Sequence, residues 1–157
     1  MIVLIENFIV IVVFTLLVWM MSKNPLDVIY NYPPAIIHRV QELGLIPEGE
    51  KKKTVVKKVF AVIVFGILLG LIVRHINGID SFWKGAGVTY LLLLVADWWD
   101  AFVLDCLWFC HDKHFVIPGT EDMVSDYHDY WFHIRGSLIG MVIVIPSALI
   151  AGLICII

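Results

Sequence analysis

Asp97-Trp98-Trp99-Asp100, with Asp105 close behind, places three carboxylates at the end of an apolar run, Val88 to Ala96, that otherwise reads as a membrane span. An aspartate near a bilayer centre costs about 2.5–3.5 kcal/mol on insertion scales, whereas a leucine contributes only about 0.3–0.6. Two such acids cancel most of the gain from Leu91, Leu92, Leu93, Leu94 and Val95. A helix carrying them stays in a membrane only where neighbouring groups, water, a proton or a cation offset that cost. Acids in this setting point to ion or proton chemistry.

More ligand-type residues follow. At 3.6 residues per turn, Asp97, Asp100, Asp105, Trp108, His111 and Asp112 share one broad helical face. Beyond the Pro118-Gly119 turn, Asp122, Asp126, Asp129 and His133 form a stripe, and Glu121 with His128 forms its neighbour. The turn makes the two helices antiparallel, so the stripes are expected to converge. Carboxylate oxygen and imidazole nitrogen suit divalent metals: magnesium or manganese where oxygen dominates, iron, manganese or zinc in mixed sets. The expected ligands are Asp97, Asp100, Asp105, His128 and His133, with Glu121 or Asp129 as general base or supporting partner. The competing reading of the acids from Asp112 to Asp129 is a solvated loop.

Cys106-x-x-x-Cys110-His111-x-x-His114 offers soft ligands for zinc or copper(I), or simply small residues near an interface. The aromatics around the acids (Trp98, Trp99, Trp108, Tyr127, Tyr130 and Trp131) read either as an interfacial belt or as the wall of a cleft for a lipid or quinone-like molecule.

These residues need elements to hold them. With 61% hydrophobic residues and a mean hydropathy of +0.91, the chain lies outside the usual soluble range of about 45–50% apolar. Four apolar runs, about 2–21, 54–73, 82–104 and 136–157, each approach the roughly 20 residues that cross a bilayer. The expected fold is all-α: a single polytopic domain, residues 1–157, with a bundle of four transmembrane helices. The start of the chain has no basic region or cleavage site of a leader, so it reads as a retained span.

Orientation follows from the bases. Lys23, Arg39, Lys51, Lys52, Lys53, Lys57, Lys58, Lys113 and Arg135 fall on one side, against Arg74 and Lys84 on the other. Both termini are therefore expected outside, with loops 22–53 and 106–134 cytoplasmic. In the first loop Pro33-Pro34 opens a short amphipathic helix with Ile36, Ile37, Val40 and Leu43 on one stripe, ended by Gly44 and Pro47. Lys51–Lys53 is read as an anchor for anionic headgroups. Thr120 is the expected N-cap of a helix running unbroken into the last span, kinked at Pro146. Gly66-x-x-x-Gly70 and Gly136-x-x-x-Gly140 permit close helix contact.

The three cysteines form no disulfide framework, and no basic footprint for nucleic acid is present. The leading expectation is a membrane-embedded, metal-dependent enzyme acting on a lipid-soluble or headgroup-bearing substrate at the cytoplasmic face. The alternatives are a small cation or proton-coupled transporter or channel using Asp97 and Asp100, and a non-catalytic subunit of a membrane complex. The bilayer is the expected surrounding, and a homo-oligomer is compatible with every reading.

Overall fold

Apolar segments with no water at hand must close their backbone hydrogen bonds internally, and this chain does so as helices. The computed structural model describes residues 2–46 and 50–157, the side chains of 50–53 excepted. Pro47 and the Lys51–Lys53 side chains, read above as a helix stop and a headgroup anchor, lie outside the described residues. Helix α1 spans Ile2–Met21, α2 Pro34–Glu42, α3 Glu50–His75 and α4 Phe82–Trp99. The path continues with π-type hydrogen bonding over Asp100–Phe109, then α5 Val124–Tyr127, α6 Tyr130–Ile143 and α7 Ile145–Ile156. No strand occurs among the described residues.

Among those residues three helical segments are long and apolar enough to cross a membrane: Ile2–Met21, Thr54–His75 and the Val124–Ile156 path. Helix α4 is not one of them, because Lys84, Asp97 and its glycines and aromatics dilute its hydropathy. Large apolar side chains point outward along the qualifying segments, among them Leu4, Phe8, Phe60, Leu68, Leu138 and Val142. A water-soluble monomer rarely carries so continuous an apolar exterior. This is an all-helical protein with candidate membrane-spanning helices, consistent with integral membrane residence.

Small residues let the helices approach. Helix α7 lies between α3 and α4. A Cβ added at Gly66 would come 2.8 Å from the Ser147 carbonyl oxygen, and one at Gly70 would come 2.8 Å from Cα of Ala151. On the other side, a Cβ at Gly152 would come 2.8 Å from the Phe82 carbonyl oxygen. The Ser147 hydroxyl donates to the Val62 carbonyl at 2.7 Å, fastening α7 to α3. Of the second glycine pair only Gly140 makes a close approach, to the Asp97 carboxylate, while Gly136 faces open space. Helix α1 leans chiefly on α4.

One end of the bundle is closed by the loops. The turn Pro25–Asn31 and α2 bury Ile29, Tyr32, Ile36 and Val40 against Phe109, Phe115, Ile117 and Tyr127. Tyr32 donates its hydroxyl to the Phe115 carbonyl at 3.1 Å. Burial, with Tyr127 alongside, pushes the Tyr32 phenol well above its ordinary value, so it stays neutral as a donor.

Thr120 is not an N-cap. Its side chain is fully buried, with Oγ1 donating to the Ile117 carbonyl at 2.7 Å and sitting 2.7 Å from the Tyr127 hydroxyl. The burial of Tyr127 outweighs the local capping preference that the sequence presents. The helix is also interrupted twice rather than unbroken. Asp129 caps a new start, its Oδ1 accepting from the Phe132 N–H at 2.9 Å. The second break falls at Val144, two residues before Pro146, whose ring nitrogen has no proton to continue the ladder. Thr120→Val, which keeps the shape but removes the hydroxyl and its two buried hydrogen bonds, is expected to cost about 2 kcal/mol. Thermal unfolding in detergent measures this, and an unchanged Tm would remove the network from the account.

Candidate functional site

The acids are positioned by a change of helical winding. From Asp100 to Phe109 the backbone bonds i→i+5, and the Cys110 N–H closes the stretch on the Asp105 carbonyl at 3.0 Å. In an α-helix, residues five apart point about 140° away from one another at about 100° per residue. With i→i+5 bonding the angle between them narrows enough for them to share one face. Asp105 is thereby returned to the face of Asp100. Such windings are rare and concentrate at functional sites.

On α4, Asp97 is half-buried and Ser137 of α6 donates to its backbone carbonyl at 3.2 Å. Its Oδ2 is buried with no hydrogen-bond partner. Asp97, Asp100 and Asp105 lie in electrostatic range of one another, and Lys58 of α3 lies in range of Asp100. The Lys58 ammonium itself donates to Asn31 at 2.9 Å. Asp97, Asp100 and Ser147 are the polar residues lining an otherwise apolar cavity of about 330 Å³ between α1, α3, α4 and α7. Ile9, Val13, Phe65, Leu68 and Ile72 supply much of its wall.

His133 completes the cluster from α6. Its Nδ1 lies 2.9 Å from Asp105 Oδ2, and its ring packs edge-on against Phe109 and Phe132. The imidazole is buried, and Nε2 has no partner. A carboxylate at Nδ1 fixes the tautomer and leaves Nε2 as the chemically free atom. In chemical terms the arrangement can hold and pass protons, or present Nε2 and carboxylate oxygen to a cation.

The structure thus brings together Asp97, Asp100, Asp105 and His133. It places His128, Glu121 and Asp129 elsewhere. His128 donates from Nδ1 to the Val124 carbonyl at 2.7 Å and packs edge-on against His111, while Glu121 accepts from the Gly119 N–H at 2.9 Å. Asp129 is engaged as the cap of α6. In the same loop the His114 N–H and the Trp108 indole N–H hold the Asp112 carboxyl below its ordinary value. Cys110 is buried while His114 is exposed, its Nε2–H donating to the Ser22 carbonyl at 2.8 Å. Among the described residues no three His, Cys, Asp or Glu side chains stand close enough together to hold one metal ion.

Sequence reasoning missed Glu6. This carboxylate of α1 is only 8% exposed, a position where an acid needs a partner, and Asn77 donates to its Oε2 at 3.0 Å. An isolated acid in the first apolar run was the available signal. No family model matches the chain, and no curated protein or solved structure matches it either.

Proposed function

We propose that this protein moves protons or small cations across a membrane, with Asp97 and Asp100 as the intramembrane binding station and the Asp105–His133 pair as the relay toward the loop end. The observation that carries this reading is the stacked acid face opening on an apolar cavity, with Asp97 Oδ2 and His133 Nε2 buried and unpartnered. Carboxylates so placed are stable only while they hold a proton or a cation, and a group that must exchange one can carry it. In this reading α4 is the fourth span, held in place by its neighbours rather than by its own hydropathy. The α2 segment covers the cytoplasmic mouth, both termini lie outside, and the cavity admits a lipid-soluble molecule from the bilayer.

The experiment is reconstitution into vesicles loaded with a pH-sensitive dye, under an imposed membrane potential or an alkali-cation gradient. Flux above that of empty vesicles, lost on Asp97→Asn, is the expected result. Equal signals from protein-containing and protein-free vesicles would remove the reading. The topology has its own check. A cysteine placed at Lys52 should be protected from impermeant reagent in intact cells while one at Asp80 is labelled, and the reverse pattern would invert the orientation.

A second reading, a metal-dependent enzyme acting on a lipid-soluble substrate, is favoured by one observation. Histidines that bind metal commonly hold a carboxylate at one nitrogen and present the other, as His133 does with Asp105. Here His133 would offer Nε2 to iron, manganese, magnesium or zinc, and Asp97 and Asp100 would have to move closer to join it as ligands. Stoichiometric metal in protein purified without chelator is its test.

A further inference from the structure

At the end of the bundle opposite the loops, a second set of oxygen atoms is buried without partners. Glu6 Oε1, Asn77 Oδ1 and, next to Glu6 on α1, Asn7 Oδ1 are all enclosed and unbonded. Glu6 is fixed by Asn77, whose Nδ2–H donates to Oε2, and Asn7 is fixed by its own Nδ2–H on the Val3 carbonyl at 3.0 Å. Each amide donates one hydrogen bond in this way, and the three oxygens are left without a donor. Glu6 is the one polar residue lining a cavity of about 360 Å³ with Ile2, Ile5, Ile76 and Leu92. No ion pair among the described residues involves Glu6, although Arg74, His75 and Lys84 belong to the same end.

Several buried acceptors bearing one negative charge call for a partner that is positive, small and oxygen-seeking. A divalent ion is a poor fit, because one carboxylate leaves half its charge uncompensated. We infer that Glu6 and Asn77 form a binding site for a monovalent alkali cation. The Glu6 cavity and the Asp97 cavity share Ile9, Val10, Leu69 and Ile72 in their walls. The site is therefore the opposite-end station of the same path, and in that role it rests on the transport reading, while the binding itself does not.

The test uses the full chain, purified in detergent with N-methylglucamine chloride as the only salt. Replacing that salt with sodium, potassium or lithium chloride at constant ionic strength and pH should raise Tm saturably, by about 5 °C for at least one of them. Glu6→Gln, which keeps the shape, should lose the shift, and Asp122→Asn, which removes an exposed carboxylate of the loop end, should keep it. Should Glu6→Gln fail to fold, equilibrium dialysis of the parent with radioactive sodium or rubidium should show saturable binding near one ion per chain. Identical Tm in every chloride, a shift retained by folded Glu6→Gln, a shift lost in Asp122→Asn, or dialysis without saturable binding would each overturn the inference. A saturable shift in a protein that shows no vesicle flux would leave the cation site standing and remove only the transport reading.

Discussion

Asp97→Asn is expected to lower ion flux in reconstituted vesicles on the order of 100-fold, the scale at which a positioned proton-transfer group acts, while leaving the protein as stable as the parent or more so. Asparagine keeps the shape that fits beside Gly140 and removes a charge that is costly to bury. A carboxylate serving only as structure would show neither loss of flux nor any dependence on ions. Asp100→Asn should behave alike, since it lines the same cavity. The combination of outcomes is diagnostic. Loss of flux with retained stability supports the carrier role. Retained flux in both folded variants takes these two residues out of the mechanism. Protection of the parent against heat by a divalent ion, absent in both variants, would instead move the weight to the metal-dependent reading, because a bound ion stabilises the folded state by mass action.

Gly70→Val is the substitution expected to cost most in stability, about 3 kcal/mol, or roughly 9 °C in Tm for a chain of this length. Its Cβ would meet the Ala151 backbone and the Ile154 side chain. Backbone cannot swing aside as a flexible side chain does, so α3 and α7 must separate and forfeit the Ser147–Val62 hydrogen bond nearby. Gly136→Ala is the control, because nothing stands within 4 Å of its added Cβ. Equal loss in both variants would mean that the cost is loss of glycine itself rather than helix contact.

The sequence alone determined the helical, membrane-type character of the chain, since apolar runs near 20 residues leave the backbone no other way to satisfy its polar groups. It also singled out Asp97 and Asp100, because a charge inside such a run has a cost that can be read without coordinates. Four features were decided only by the tertiary structure. The π-type winding that realigns Asp105 with Asp100 depends on hydrogen-bond register, which no residue type from Asp100 to Phe109 specifies. The choice of His133 over His128 follows from the break at Asp129, where a capping carboxylate starts a new helix and turns the two imidazoles to different surroundings. Thr120, legible as a cap, became a buried hydroxyl because Tyr127, seven residues on, found its partner there. Glu6 and Asn77 meet across 71 positions of chain. Local preferences act over a turn or two of backbone, whereas these outcomes were settled by which buried polar atoms could reach one another across the bundle.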